Sequence, residues 1–464
     1  MPKFTILNII ASTSTDWIST VLILLLGIAA ILAIQRLDGH FCFRYGMHLI
    51  VALSGADARA SFFSTRGLDP SAGYSALLTG IPSTDHLEGG GINSRTFKTF
   101  KLLMTKARLV ENIGQLVNDA NSALGHLETS RPFDPFNGIY LLIYQMTHRL
   151  LGSYDVANSP RLLAETLAVY DRMGDSSAMQ TMFPMMPTLG MLRKLCGGAR
   201  LHFLFRSIIR DRRKCGRREN DAMQIMMDNG DSDIQISTVI ISSLFAGLLN
   251  SGVNAAWILC YLASHRDWYM KIQAEVDEVI ATGRQSDDET PLQILQRLTI
   301  AQWESSFPLL GYALQESIRL NLPGVFIRKN ITNVDLPLIG TNIIVPRGSF
   351  AVYLADDVHL NQDLYPEPLE WNPCRHIQSS SDSRESSSLD YLGWGAGLHP
   401  CLGKRFAKLE VAISTAMFMS TYEFELCDGA GKLQQGSLPR TNRNWHGAKP
   451  IKDKVYFKLT SRHR

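Results

Sequence analysis

From residue 54 to about 320, apolar residues recur three or four apart, the spacing of helices that bury one stripe. The run "RTFKTFKLLMTKARLVENIGQLVNDANSAL" (95–124) follows this rule, and "SGADARASFFST" (54–65) predicts another helix with Ser54 as its N-cap. Ahead of them, "HFCFRYGMHLIVAL" (40–53) mixes aromatic and β-branched residues and predicts a pair of strands joined as a hairpin. Strand-like text returns at "VFIRKNITN" (325–333) and "NIIVPRGSFAVYLA" (342–355). Gly and Pro break the helical pattern at 76–94, predicting a loop. The Met- and Pro-rich stretch 171–190 reads either as an apolar segment near a ligand entrance or as irregular core. A Ser-rich loop, "SSSDSRESSS" (379–388), is low in complexity. The sum is a mainly α chain with small β-sheets.

Two stretches lack charge altogether. From Trp17 to Gln35, nineteen residues carry none; as a helix they extend roughly 28 Å, close to a bilayer's hydrocarbon core. Arg36 and Arg44 follow this run and only Lys3 precedes it, which predicts a single-pass anchor with the bulk of the chain on the cytosolic side. A cleaved signal peptide is the competing reading, weakened by the length of the run and the lack of a clear small-residue cleavage site. The expected division is an anchor at 1–36 and a catalytic domain at 37–464. The second stretch, Ile234 to Ala263, is as apolar, but Ser242, Ser243, Asn250, Ser251 and Asn254 are costly in lipid. It is read as the buried axis of a large domain, not as a second span.

With 45% hydrophobic and 19% charged residues over 464 positions, the chain can bury a large core, and its net charge of +3 does not favour nucleic-acid binding. The one dense basic run, "RDRRKCGRR" (210–218), is read as a solvated face or interhelical loop. Seven cysteines without paired spacing give neither a disulfide framework nor a structural zinc site.

One cysteine stands apart. In "YLGWGAGLHPCLGKRFAKLE" (391–410), Cys401 lies among Gly395, Gly397 and Gly403, just before a predicted helix from Lys404. Cys401 can be a buried bystander, a nucleophile, half of a disulfide or a metal ligand. A thiolate ligand needs local positive potential, which a helix N-terminus supplies through its N–H groups and dipole. Gly397 and Gly403 are expected to take positive φ and let the backbone approach closely, so that a planar macrocycle can lie over the loop. That arrangement suits a haem iron with one axial thiolate.

The stretch resembles the haem loop of the cytochrome P450 family, aromatic-x-x-Gly-x-basic-x-Cys-x-Gly, at Trp394, Gly397, His399, Cys401 and Gly403, with Ala407 and Glu410 on the following helix. Two further motifs agree. Glu316 and Arg319 in "ALQESIRLNLP" share one helix face, and "YPEPLEWNPCRH" (365–376) places Pro366, Glu367, Trp371, Pro373 and Arg375 in the family's register. The resemblance implies a buried structural triad of Glu316, Arg319 and Arg375. It implies haem b with Cys401 as the axial ligand, Trp394 as an aromatic wall, and His399 and Arg328 at the propionates. In "FAGLLNSG", Ala246 and Gly247 match the distal helix, whereas Leu249 replaces the family's acid and Asn250 its threonine, with Ser251 next. Ala246, Gly247, Asn250 and Ser251 are the expected catalytic positions.

The likeness spans about 40–460, nearest in manner to fungal and sterol-demethylase-like members, with "RLDG" (36–39) where the family has a proline-rich hinge and a first helix. It implies an enzyme of the endoplasmic reticulum membrane that activates O2 with electrons from NADPH through cytochrome P450 reductase. Its substrate is then a lipophilic small molecule, terpenoid, steroid or alkaloid, of secondary metabolism. Asn250 leaves a second reading open, an isomerase or dehydratase acting on a lipid hydroperoxide. A non-catalytic haem-binding remnant is the third.

Overall fold

The computed structural model describes residues 35–37, 39–77, 94–125, 127–173, 188–322, 324–381, 389–434, 438–441, 448–450 and 454–462. Nearly all of the expected anchor, the core of the 76–94 loop, most of the Met-rich stretch and most of the Ser-rich loop lie outside them.

Strands β1 (Gln35–Leu37), β2 (His40–Tyr45) and β3 (His48–Leu53) open the chain, followed by α1 (Ala56–Ser64), β4 (Leu68–Asp69) and α2 (Pro70–Leu77). A helical run follows: α3 (Ser94–Leu103), α4 (Lys106–Leu124), α5 (Pro135–Leu151), α6 (Tyr154–Ala157), α7 (Pro160–Met173), α8 (Leu189–Cys215) and α9 (Ala222–Asp228). It continues through α10 (Asp233–Ser264), α11 (Arg266–Gly283), α12 (Pro291–Arg297), α13 (Ile300–Ser305) and α14 (Pro308–Asn321). Then come β5 (Val325–Asn330), β6 (Leu336–Pro337), β7 (Ile344–Val345), β8 (Phe350–Leu354), α15 (Ala355–His359) and α16 (Cys374–Ser381). Last are α17 (Lys404–Thr421), β9 (Tyr422–Cys427) and β10 (Tyr456–Ser461).

The predicted hairpin forms as β2–β3, turning at Gly46 with φ +61°. It sits in a six-stranded sheet of order β1-β2-β3-β8-β5-β4, antiparallel except where β3 runs parallel to β8. Gln35 and Arg36, at the end of the expected anchor segment, pair with Cys42 and Phe41 in this sheet. Ser54 does not cap α1: the N-cap is Gly55, and the Ser54 hydroxyl donates to Asp357 at 2.5 Å instead.

Helix α10 is the axis expected. Among the described residues it is the one helix long and apolar enough to cross a membrane, yet it is packed inside protein, with Ile236, Ile240, Leu244, Leu248 and Trp257 at most 1% exposed. Each such side chain contributes roughly 1.5–3 kcal/mol of burial energy. Its start is fixed by a capping box between Ser232 and Gln235. Helix α5 lies alongside, with Phe136 edge-on to Trp257 at 5.1 Å, and a side chain at Gly252 would meet Tyr140 at 2.8 Å.

The basic run 210–218 is a solvated helix end, as read from the sequence, at every position but Arg212. Arg212 is 1% exposed and donates to Asp155 and Asp221, both at 2.5 Å, tying α8 to the segments on either side of it. An arginine goes inside here because two carboxylates meet it there; the helix then stops at Gly216 in the left-handed region, φ +64°.

Glu316 is a second buried charge that several elements meet. Its carboxylate accepts from Arg319 at 2.8 and 2.9 Å, Arg375 at 3.1 Å and the Asn372 N–H at 3.1 Å, and meets His376 Nε2 at 2.9 Å. Burial alone raises its pKa, but Arg319 and His376 outweigh that and hold it at about 2. A carboxylate with a depressed folded pKa stabilises the fold fully above the ordinary carboxylate range and loses that contribution as pH falls toward the folded value. Glu316→Ala should therefore cost about 3–5 kcal/mol at neutral pH, because it strands two arginines. The wild-type advantage should shrink between pH ~4.5 and ~2. Denaturant unfolding across that range checks both, and a loss under about 1 kcal/mol at pH 7 contradicts the assignment.

Candidate functional site

The Cys401 loop is built by backbone constraints. Gly395 (φ +69°) and Gly397 (φ +62°) both occupy the left-handed region. At Gly397 a Cβ would lie 2.2 Å from the Phe63 carbonyl oxygen, and the next residue, Leu398, donates its N–H to that same oxygen at 3.1 Å. The loop is thereby laid against the end of α1. The Cys401 N–H donates to the Trp394 carbonyl at 2.7 Å, closing the turn. Gly403 departs from expectation: its φ is −85°, so it serves as the N-cap of α17 without needing left-handed backbone.

Cys401 stands at the amino end of α17, exposed and free of any disulfide. The N–H groups of Gly403 and Lys404, with the Lys404 charge, draw its thiol toward ionisation, but desolvation by the loop is the larger effect and raises its pKa. The expected depression is thus absent in the protein alone. The helix-end donors are in place, and a cation bound at the sulfur would favour the thiolate.

Arg328 and His399 converge near this loop. Arg328, on β5, is 3% exposed, donates to the Phe62 carbonyl at 2.6 Å and lies over the Phe62 and Phe63 rings. Among the described residues no carboxylate forms an ion pair with it, and desolvation pulls its pKa down to about 10. His399 is close enough to feel it: desolvation lowers the imidazole pKa, and the Arg328 guanidinium lowers it further against the pull of Asp69. A buried guanidinium short of an anion, beside a histidine and an exposed cysteine at a helix tip, fits a haem whose carboxylates supply the missing charge.

Trp394 packs partly buried against the main core. On α10, Ala246 and Asn250 are exposed on one face, one turn apart, with the Asn250 amide donating to the Ala246 carbonyl at 3.3 Å. Gly247 meets Thr147 of α5, where a Cβ would lie 3.3 Å from its methyl group. Ser251 is 6% exposed and directed instead toward Glu410 of α17.

The triad adjoins the Cys401 loop through residues the motifs did not single out. Arg319 donates to the His359 carbonyl at 2.6 Å, and His359 Nε2 accepts the Leu392 N–H at 2.9 Å. The Tyr365 hydroxyl donates to the Asp390 carbonyl at 2.7 Å. His376 had one available signal, its place beside Arg375; His359 had none, because its role depends on a long-range contact.

Comparison with known proteins agrees with this geometry. A family model described as Cytochrome P450 matches residues 35–441. "Cytochrome P450 monooxygenase AacuE" of Aspergillus aculeatus is 30% identical over 421 residues, 88% of this chain and 84% of that protein. "Cytochrome P450 monooxygenase claM" of Passalora fulva is 29% identical over 409 residues, 85% of this chain and 76% of the other. The solved structure of "Retinoic acid bound cyanobacterial CYP120A1" superposes with a TM-score of 0.70 at 21% identity, covering 91% of this chain and 92% of that one. The sterol-demethylase likeness is more distant, 21% for the obtusifoliol 14-alpha demethylase of Sorghum bicolor. The fungal likeness is the stronger, and the chain belongs to the cytochrome P450 monooxygenase family.

Proposed function

We propose that this chain is a haem-thiolate monooxygenase that oxidises a lipophilic small molecule of secondary metabolism, of terpenoid, steroid or alkaloid type. Membership of the family implies a haem with a cysteine thiolate ligand, dioxygen, a redox partner and a small-molecule substrate. The observation that carries the finer reading is Cys401, an exposed residue at the tip of α17, with a buried Arg328 close by that has no carboxylate ion pair among the described residues. Haem b is the form inferred, since no Cys-x-x-Cys-His pair is present for covalent attachment.

When bound, the haem supplies reductive activation of dioxygen and delivery of one oxygen atom to substrate. Cys401 would hold it from the proximal side, with the Gly403 and Lys404 N–H groups stabilising sulfur charge. Arg328 and His399 would pair its propionates, and Trp394 would wall the loop. Ala246 keeps the α10 face low enough for substrate and oxygen, Gly247 lets α10 lie close to Thr147 of α5, and the Asn250 amide offers a hydrogen-bond donor and acceptor that cannot act as an acid near neutral pH.

Lys404 and Lys408 of α17 and Lys106 of α4 are exposed near Cys401, gathered about the Glu304–Arg405 ion pair. Such a cationic face suits an acidic electron donor, which supports NADPH-cytochrome P450 reductase as partner. Exposed Leu189, Leu192 and Leu195 at the start of α8 and Met47 at the hairpin tip are apolar surface suited to lipid. With the uncharged run 17–35, they support an anchor in the endoplasmic reticulum membrane and a cytosol-facing catalytic domain.

Cys401→Ser should abolish the red-shifted Soret band of the reduced, carbon monoxide-bound protein; a variant that keeps the band removes Cys401 as the ligand. Asn250→Ala should leave haem content unchanged and lower product formed per NADPH consumed several-fold, and equal coupling in both proteins removes its proposed role. Turnover should require NADPH and reductase, whereas efficient turnover of a lipid hydroperoxide without them would favour the isomerase reading.

A further inference from the structure

Between α11, α13 and α14 lies an open groove of about 680 Å³, and none of the residues that line it belongs to the haem site. Its volume falls in the range that small organic ligands occupy, roughly 300–1,000 Å³. The apolar wall is formed by Ala274 and Val279 of α11, Leu309 of α14, and Leu298 just ahead of α13. What sets this groove apart from an ordinary crease between helices is the charge that faces it. Glu275 and Glu278, three apart on α11, both line it.

Glu275 is 8% exposed and holds the amino end of α14. One carboxyl oxygen accepts the Leu309 N–H at 2.7 Å, and the other accepts the Leu310 N–H at 3.1 Å. Helix α14 needs that help, because its N-cap is Phe307, which makes no side-chain cap hydrogen bond. A carboxylate has about four acceptor positions, so about two remain for a donor in the groove. Desolvation raises the Glu275 pKa, the two N–H groups lower it, and the Glu278 charge raises it again. No cation offsets that charge, and neither glutamate forms an ion pair among the described residues. Lys271, the basic residue lining the groove, is placed over the Trp268 ring, its Nζ 5.2 Å from the centroid. Two carboxylates beside an apolar wall complement a positive centre that carries apolar surface.

We propose that the groove between α11, α13 and α14 binds a small organic cation with an apolar body. Its ammonium or guanidinium group bridges Glu275 and Glu278, and its apolar part lies on Ala274, Val279, Leu298 and Leu309. This binding needs neither electrons nor turnover, so it stands apart from the monooxygenase reading. An occupant there joins three helices. Of these, α14 carries Glu316 and Arg319, and α13 is tied to α17 by the Glu304–Arg405 ion pair. A cation that binds the folded chain alone raises its melting temperature by mass action.

The test titrates benzylguanidinium into the full-length, haem-loaded protein in nanodiscs of neutral lipid, read by calorimetry with empty discs as the blank. Benzyl alcohol is the neutral match. A protonated guanidinium has no lone pair free for iron, so the Soret band should stay in place as the groove fills. The guanidinium should bind saturably, about tenfold tighter than the alcohol, and raise the melting temperature. Glu278→Gln, at an exposed position, should weaken binding several-fold. Ala274→Trp, also at an exposed position, should fill the groove and abolish binding. Both variants should melt close to wild type when no probe is present. Absence of saturable binding, equal affinity for the alcohol, or undiminished binding in either variant overturns the proposal. So does a Soret shift that tracks the whole of the binding, because it places the probe beside the haem.

Discussion

The buried Glu316 carboxylate is the interaction around which the functional half of the molecule is arranged. An isolated carboxylate inside protein is costly, and this one is tolerated because Arg319, Arg375, His376 and the Asn372 N–H all converge on it. Arg319 then spends its remaining donors on the His359 and Pro368 carbonyls, at 2.6 and 2.8 Å. His359 in turn holds Leu392, nine residues before Cys401. One charge, fully paired, thus ties α14, the segment after α15 and the start of the cysteine loop to one another.

The loop uses that rigidity to solve an electrostatic problem. It presents sulfur at a helix tip among backbone donors while desolvating it enough that the bare thiol is held back from ionising. Arg328 shows the complementary condition, a cation inside protein with rings and a carbonyl around it and no carboxylate ion pair among the described residues. Each group is uncomfortable alone, and one ligand with a cationic centre and anionic edges would relieve both. Charge matching of this kind distinguishes a binding site from a loop that is merely glycine-rich.

Much of this was legible in the chain because it is local. The aromatic and β-branched mix of 40–53 pointed to the hairpin, the uninterrupted apolar text of 234–263 to the buried axis, and the resemblance carried by local motifs to the Glu316, Arg319 and Arg375 cluster. What could not be read was set by partners distant in sequence. Ser54 has the right chemistry for a cap but finds Asp357, 303 positions away, and Arg212 looks solvated until Asp155 folds against it, 57 positions away. Gly403 shows that a motif glycine need not take left-handed backbone, since its φ is −85°. The thiol pKa likewise depends on how much of the loop closes over sulfur, which spacing does not encode.

The claim beneath all of this is that the Cys401 sulfur binds iron. X-ray absorption at the iron edge of the haem-loaded, full-length protein addresses it directly, because scattering from a sulfur neighbour differs in distance and phase from that of nitrogen or oxygen. The account predicts one sulfur in the first coordination sphere beside the four porphyrin nitrogens. A first sphere made only of nitrogen and oxygen, in folded protein carrying its full complement of haem, would contradict it.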